Sequence, residues 1–133
     1  MSYIINLPFS IPVNVPRKMD VHTFTLNLNK YRNAHYLVLS SAKKNFYLMM
    51  FPQVAKLPVM NTISITYTVY PKSKILLDIA NVCSIVDKFF QDSLVKQKKI
   101  KDDNYLFVKK VSFQFGEVDK ENARIEAEIT ELI

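Results

Sequence analysis

Apolar and polar positions alternate along some stretches of the chain and recur at helical spacing along others. Residues 61 to 70 (NTISITYTVY) alternate most cleanly. Ile63, Ile65, Tyr67 and Val69 point one way and Thr62, Ser64, Thr66 and Thr68 the other, as in a strand with one buried face. Pro71 breaks this strand. Residues 105 to 115 (YLFVKKVSFQF) place Tyr105, Phe107, Val111, Phe113 and Phe115 in one register. Residues 124 to 132 set Ile125, Ala127 and Ile129 against Arg124, Glu126 and Glu128. A first strand over residues 3 to 7 closes at Pro8, and Pro8, Pro12 and Pro16 keep residues 8 to 20 extended or irregular. Phe24, Leu26 and Leu28 alternate with Thr25, Asn27 and Asn29, which fits a short strand or an ordered loop.

Helical spacing shows twice. Over residues 34 to 51, Leu39, Ala42, Phe46, Met49 and Met50 share a face, and Pro52 is expected to end that helix. A second helix starts at Asp78. Ile79, Val82, Cys83, Ile85, Val86, Phe89 and Phe90 make its apolar face, with Asn81, Ser84, Lys88, Gln91 and Asp92 opposite. The order strand, loop, helix, strand, helix, strand, strand implies an α+β fold. It would be a mixed sheet of three to five strands with two main helices packed on one face, formed by residues 1–133 as one domain. The Ser/Thr face of residues 62 to 68 would be the outer face, either solvated or meeting another subunit.

Composition narrows the function classes. The 133 residues carry a net charge of +6, which favours an anionic partner: nucleic acid first, then a membrane surface or an acidic protein. One glycine, Gly116, excludes a Gly-rich phosphate loop and so a nucleotide cofactor bound that way. His22 and His35 do not pair with cysteine at zinc spacing. The single cysteine, Cys83, reads as a small buried hydrophobe. No apolar run is long enough for a membrane helix. The opening MSYIINLPF lacks the basic start and long apolar run of a signal peptide. Together these features lead us to expect a cytoplasmic setting.

The chemistry-bearing residues concentrate between Leu76 and Asp103. Asp78, Asp87, Asp92, Asp102 and Asp103, five of the chain's twelve carboxylates, lie there beside Lys88 and a Lys-rich segment. Carboxylates brought together from distant positions are the hard oxygen ligands a divalent metal takes. Each acid also has a structural reading. Asp78 suits an N-cap, Asp102-Asp103-Asn104 suits a turn, and Asp92 suits an i, i+4 pair with Lys96. If residues 78 to 92 form one straight helix, Asp78 and Asp87 lie ~13 Å apart along the axis and on opposite sides. They then cannot share one metal, and a site built on Asp78 would draw on Asp102 and Asp103. Further upstream, residues 26 to 36 (LNLNKYRNAHY) are rich in side chains that phosphate oxygens attract.

The stretch resembles the RusA family of Holliday-junction resolvases, in a phage-type branch. The family signature is Asp-x-Asp-Asn-x-x-Lys at a helix start, then Asp-Ala-Leu, then an Asp-Asp pair before a strand. Here stand Asp78-Ile79-Ala80-Asn81, Asp92-Ser93-Leu94 and Asp102-Asp103, and Leu7-Pro8 resembles the family's opening. Two positions depart. Ala80 replaces the second aspartate, and the family lysine falls on Ser84 or, one helical turn along, on Lys88. The resemblance implies a small basic homodimer in a bacterial or phage-infected cytoplasm that nicks four-way DNA junctions. It implies Mg²⁺, with Mn²⁺ able to substitute, held by Asp78, Asp102 and Asp103, with Asp87 joining only if the helix starts late, is kinked, or meets a second copy across a dimer axis. Asp78, Asp103, Asp87 and Lys88 would be the catalytic set. Lys30, Arg32, Asn33, Lys43, Lys44, Lys96, Lys98, Lys99 and Lys101 would contact DNA. With Ala80 in place of an acid, the alternative is a branched-DNA-binding protein of the same fold that cuts poorly or not at all. A third reading is a small domain whose basic face meets an acidic protein.

Overall fold

The computed structural model describes residues 1–14, 22–74 and 77–133. In chain order it forms β1 (Ser2–Leu7), β2 (Ser10–Val13), β3 (His22–Thr25), α1 (Leu28–Asn33), α2 (Tyr36–Ala55), β4 (Thr62–Tyr70), α3 (Ile79–Lys96), β5 (Val108–Phe115) and β6 (Arg124–Leu132). Four strands make one mixed sheet in the order β1-β6-β4-β5, and β2 and β3 pair in a separate ribbon. β6 runs antiparallel to β1 and β4, and β5 runs parallel to β4. A parallel pair needs a crossover, and α3 supplies it. Among the described residues the fold is therefore α+β, with a four-stranded mixed sheet, three helices and a single extended core.

β4 carries the centre of that core. Ile63, Ile65, Tyr67 and Val69 are buried, at 1% exposure or less. The register sets Tyr67 beside Ala127 on one side and Phe113 on the other. Above this face α2 contributes Ala42, Phe46, Met50 and Val54, and α3 contributes Val82, Cys83, Ile85, Val86, Phe89, Phe90 and Leu94. The aromatic rings join the layers: Phe46 meets Phe89 edge-on at 5.6 Å, and Tyr67 meets Phe90 at 6.4 Å. Each such side chain contributes ~1.5–3 kcal/mol by leaving water. Thr62, Ser64, Thr66 and Thr68 are half-buried on the opposite face, beside Glu126 and Glu128 of β6 and Lys110, Ser112 and Gln114 of β5.

Four local expectations need correction. α2 passes through Pro52 and ends at Ala55. Pro52 cannot donate to the carbonyl of Leu48, but both residues lie on the exposed side of the helix, where water can meet that carbonyl. Met49 is 43% exposed, and Met50 alone of the two enters the core. β5 starts at Val108, because Asn104 closes a turn first. Its carbonyl accepts from the N–H groups of Phe107 and Val108, and its side chain accepts from Leu106 N. Tyr105 is left 77% exposed. The segment over residues 26 to 36 is not all loop. Asn27 caps α1, its Oδ1 accepting from Lys30 N at 2.8 Å. Within residues 8 to 20, expected to be extended or irregular, Ser10–Val13 form the extended strand β2, and residues 15–20 lie outside the described residues.

Candidate acidic site and basic cleft on helix α3

Local chemistry sets both ends of α3. Asp78 is its N-cap, with Oδ1 accepting from Ala80 N at 3.0 Å and Asn81 N at 3.3 Å. Asn81 then accepts from Leu28 N and Asn29 N through its own Oδ1, which ties the start of α1 to α3. At the far end Lys98 takes a left-handed conformation, φ 61°. Lys99 N donates to Leu94 O and Lys98 N to Val95 O, the two bonds of a Schellman ending. Ile100 is then buried, which turns the chain back toward β5.

Asp87 lies midway along α3, on the side that meets the sheet. Tyr67 O–H donates to Asp87 Oδ1 at 2.5 Å, and Gln91 Nε2 donates to the same oxygen at 2.8 Å. Both donors converge on Oδ1, which leaves Oδ2 for another partner. Burial raises the Asp87 carboxyl above the ordinary carboxylate value. The Tyr67 and Gln91 hydrogen bonds pull it back, and the Asp103 charge raises it further. Burial also lifts the Tyr67 phenol, aided by the Asp87 charge. The Cys83 thiol is pushed up to about 12, by burial first and Asp87 second, so Cys83 is an inert core residue.

Asp103 lies in the loop before β5. Desolvation raises its carboxyl first, then a hydrogen bond and charge from Asp102, then the Asp92 charge. Asp102 is also committed to the turn: Oδ1 accepts from Asp103 N and Oδ2 from Asn104 Nδ2. Asp87, Asp92, Asp102 and Asp103 thus share one electrostatic neighbourhood.

Asp78 does not join them. Because Ile79–Lys96 is one helix, Asp78 stays nine residues, ~13 Å along the axis, from Asp87. Asp103 keeps company with the later acids. Of the expected ligands, Asp87 feels the charge of Asp103, Asp102 adjoins Asp103 in its turn, and Asp78 serves as the cap. Hard carboxylate oxygens suit Mg²⁺, which takes one or two carboxylates and completes its shell with water and substrate phosphate. Asp87 and Asp103 fit that donor set in kind and in number. Among the described residues no three Asp, Glu, His or Cys side chains form a ready-made metal cage.

The expected DNA-contacting residues divide by location. Lys43, Lys44 and Lys96 line a cleft between α2 and α3 together with Ser40, Tyr47, Phe89, Asp92 and Ser93. Lys98 and Lys101 line a hollow with Met60 and Glu131. Lys30 and Asn33 border another beside α1, and Arg32 is exposed in the last turn of that helix. Lys99 has a structural task, since its ammonium donates to Ala55 O at the end of α2, where a cation complements the helix dipole. Lys88 is exposed on the turn beside Asp87.

Sequence reasoning missed Tyr67 and Gln91 as partners of Asp87. Gln91 was legible as the i+4 neighbour of Asp87. Tyr67 carried a weaker signal, a polar tip on an otherwise apolar inward row. Compared with protein-family models and with curated proteins, the chain matches none.

Proposed function

We propose that this chain is a RusA-like, Mg²⁺-dependent endonuclease for branched DNA, with Asp87 and Asp103 at its centre. The carrying observation is the Asp87 carboxylate, fixed in α3 by Tyr67 and Gln91 and raised further by the charge of Asp103 in the loop before β5. A carboxylate whose proton affinity is raised by burial and by a neighbouring negative charge, as at Asp87, gains from a cation beside it. A bound Mg²⁺ would supply Lewis-acid charge at the phosphate and a more acidic water.

The chain's own groups do the rest. Tyr67 and Gln91 fix one oxygen of Asp87 so that the other faces the ligand. Asp102 holds the turn that presents Asp103. Lys88, on the exposed surface beside Asp87, is in reach of a phosphate held there and neutralises it. Lys30, Arg32, Asn33, Lys43, Lys44, Lys96, Lys98 and Lys101 supply backbone contacts and a steep dependence of binding on salt. Two opposed nicks in a four-way junction call for a C2 homodimer.

The second reading, a junction-binding protein with little or no cutting, is favoured by Ala80 and by the separation of Asp78 from the other acids. The two separate on a labelled four-way junction and a linear duplex of the same sequence, each with Mg²⁺ and with EDTA. Symmetric nicks in the junction alone, lost in EDTA, are expected for the endonuclease. Intact junctions bound tightly in any metal support the binding protein. Equal affinity for both DNAs without nicking rejects both readings.

A further inference from the structure

The cleft between α2 and α3 holds more positive charge than its surroundings balance. It encloses about 410 Å³, room for a phosphate with its attached sugar rather than for a bare ion. Three ammonium groups line it, from Lys43, Lys44 and Lys96, against one carboxylate, Asp92. Among the described residues none of these lysines forms an ion pair, and the ion pairs found are those of Arg124 with Asp119 and Glu126. Lys96 and Asp92 have the i, i+4 spacing that usually pairs. Instead the Lys96 ammonium sits over the Tyr47 ring, 4.4 Å from its centroid. That contact aims the charge into the cleft. The Tyr47 ring is itself braced edge-on by Phe51 at 5.8 Å. The floor is Phe89, backed by Phe46, so one side of the charged group is a low-dielectric wall. Converging like charges over an apolar floor repel each other until an anion arrives. The hydroxyls of Ser40 and Tyr47 add neutral donors at the rim.

We infer that the α2–α3 cleft is a phosphate-binding site, built by Lys43, Lys44, Lys96, Ser40 and Tyr47 and separate from the Asp87–Asp103 centre. On the endonuclease reading, which this step deepens, its ligand is a backbone phosphate a few nucleotides from the one presented to Asp87 and Asp103. Asp87 and the cleft lie on opposite flanks of α3, about one helix diameter or ~10 Å apart. Lys88 and Asp92 lie on the exposed stripe between them. The cleft would then hold the strand and leave the acidic pair free to act on the neighbouring bond. An acidic protein segment is the competing macromolecule. Nucleic acid is favoured because the net charge of +6 and the exposed lysines beyond the cleft offer a long row of phosphates further contacts that a short acidic segment does not use.

The test uses the 133-residue chain without metal, so cleavage does not enter. Inorganic pyrophosphate is titrated while backbone amide NMR signals are followed, and affinity for the four-way junction is measured over a range of salt. Two triple variants are compared, each checked for its unfolding midpoint. One is Lys43→Ala, Lys44→Ala and Lys96→Ala. The other removes the same charge elsewhere, through Lys72→Ala, Lys74→Ala and Lys120→Ala. Expected are pyrophosphate shifts centred on residues 40 to 47 and 92 to 96 in the wild type. The cleft triple should lose roughly tenfold or more in junction affinity and flatten the log–log salt slope by about 2 to 3, against less than about threefold loss for the control triple. Equal losses in the two triples would reduce the cleft to bulk charge and overturn its role on DNA. Pyrophosphate shifts without any junction binding would keep a phosphate site, assign it to a free phosphate compound and reject the endonuclease reading alone. No shift at residues 40 to 47 and 92 to 96 overturns the site whatever the DNA result.

Discussion

Replacing Tyr67 with Phe removes one oxygen from the middle of the core and nothing else. The ring keeps its edge-on contact with Phe90 and its tilted contact with Phe113 at 5.8 Å. The lost group is the hydroxyl that donates to Asp87 Oδ1. A hydrogen bond to a charged group contributes ~1.5–3 kcal/mol, and Gln91 alone would remain on that oxygen. With an unfolding entropy of ~2.1 cal/mol/K per residue, a chain of 133 residues should lose about 5–11 °C in melting temperature. The loss should depend on pH, and its sign follows from Asp87. Burial leaves the folded carboxyl above its ordinary value of 3.8, with the Tyr67 bond pulling it down. Folding stability therefore falls as pH rises from near 3.8 through the folded value, and is level above it. Without the hydroxyl the fall is deeper. The gap between variant and wild type should widen as Asp87 ionises, and shrink to ~1 kcal/mol or less in acid, where the bond is neutral to neutral. Urea unfolding of both proteins from pH 4 to pH 8 measures it. A gap under ~0.5 kcal/mol at pH 8, or one that does not change with pH, would refute the Tyr67–Asp87 coupling.

Two further substitutions test the frame around the site. Lys98→Gly should stabilise the fold by ~1 kcal/mol, since Lys98 holds a positive φ that a side chain disfavours; a lower unfolding midpoint would contradict the Schellman ending of α3. Gly116→Ala should cost ~1–3 kcal/mol, because a Cβ there would come within 2.5–3.0 Å of the Tyr70 ring. Arg124 stacks on that ring at 4.2 Å. In a Tyr70→Ala background the same change should cost far less, and an unchanged cost in unfolding assays would remove the clash as its cause.

The elements that could be read from the sequence are those whose periodicity matches a single buried face. β4 announced itself because all four inward residues are apolar and all four outward ones small and polar. α3 did so because its apolar face is broad and its cap is an aspartate. The β2–β3 ribbon, the short helix α1 and the late start of β5 were harder, because each is set by side chains that meet across long separations or by a turn such as that of Asn104. Pro52 misled because its cost depends on what its neighbours' carbonyls face, which no local pattern reports. At the site, the stretch holding the acids was legible, and so was the distance between Asp78 and Asp87, which follows from helix geometry. Which acids feel one another's charge was not, because that depends on how the left-handed Lys98 and the buried Ile100 turn the chain toward β5. The partnership of Tyr67 with Asp87 spans twenty residues and two elements, beyond the reach of spacing rules.

The most direct test is Mg²⁺-dependent nicking of a labelled four-way junction by Asp78→Asn, Asp87→Asn and Asp103→Asn, with junction binding in EDTA measured alongside. Asparagine caps helices about as well as aspartate, so Asp78→Asn leaves its structural task intact. Expected is loss of nicking by at least ~100-fold, some 2.7 kcal/mol in the barrier, for Asp87→Asn and Asp103→Asn, with binding kept. Asp78→Asn should stay within a few-fold of wild type. Full nicking by Asp87→Asn together with its loss in Asp78→Asn would contradict an active centre built on Asp87 and Asp103.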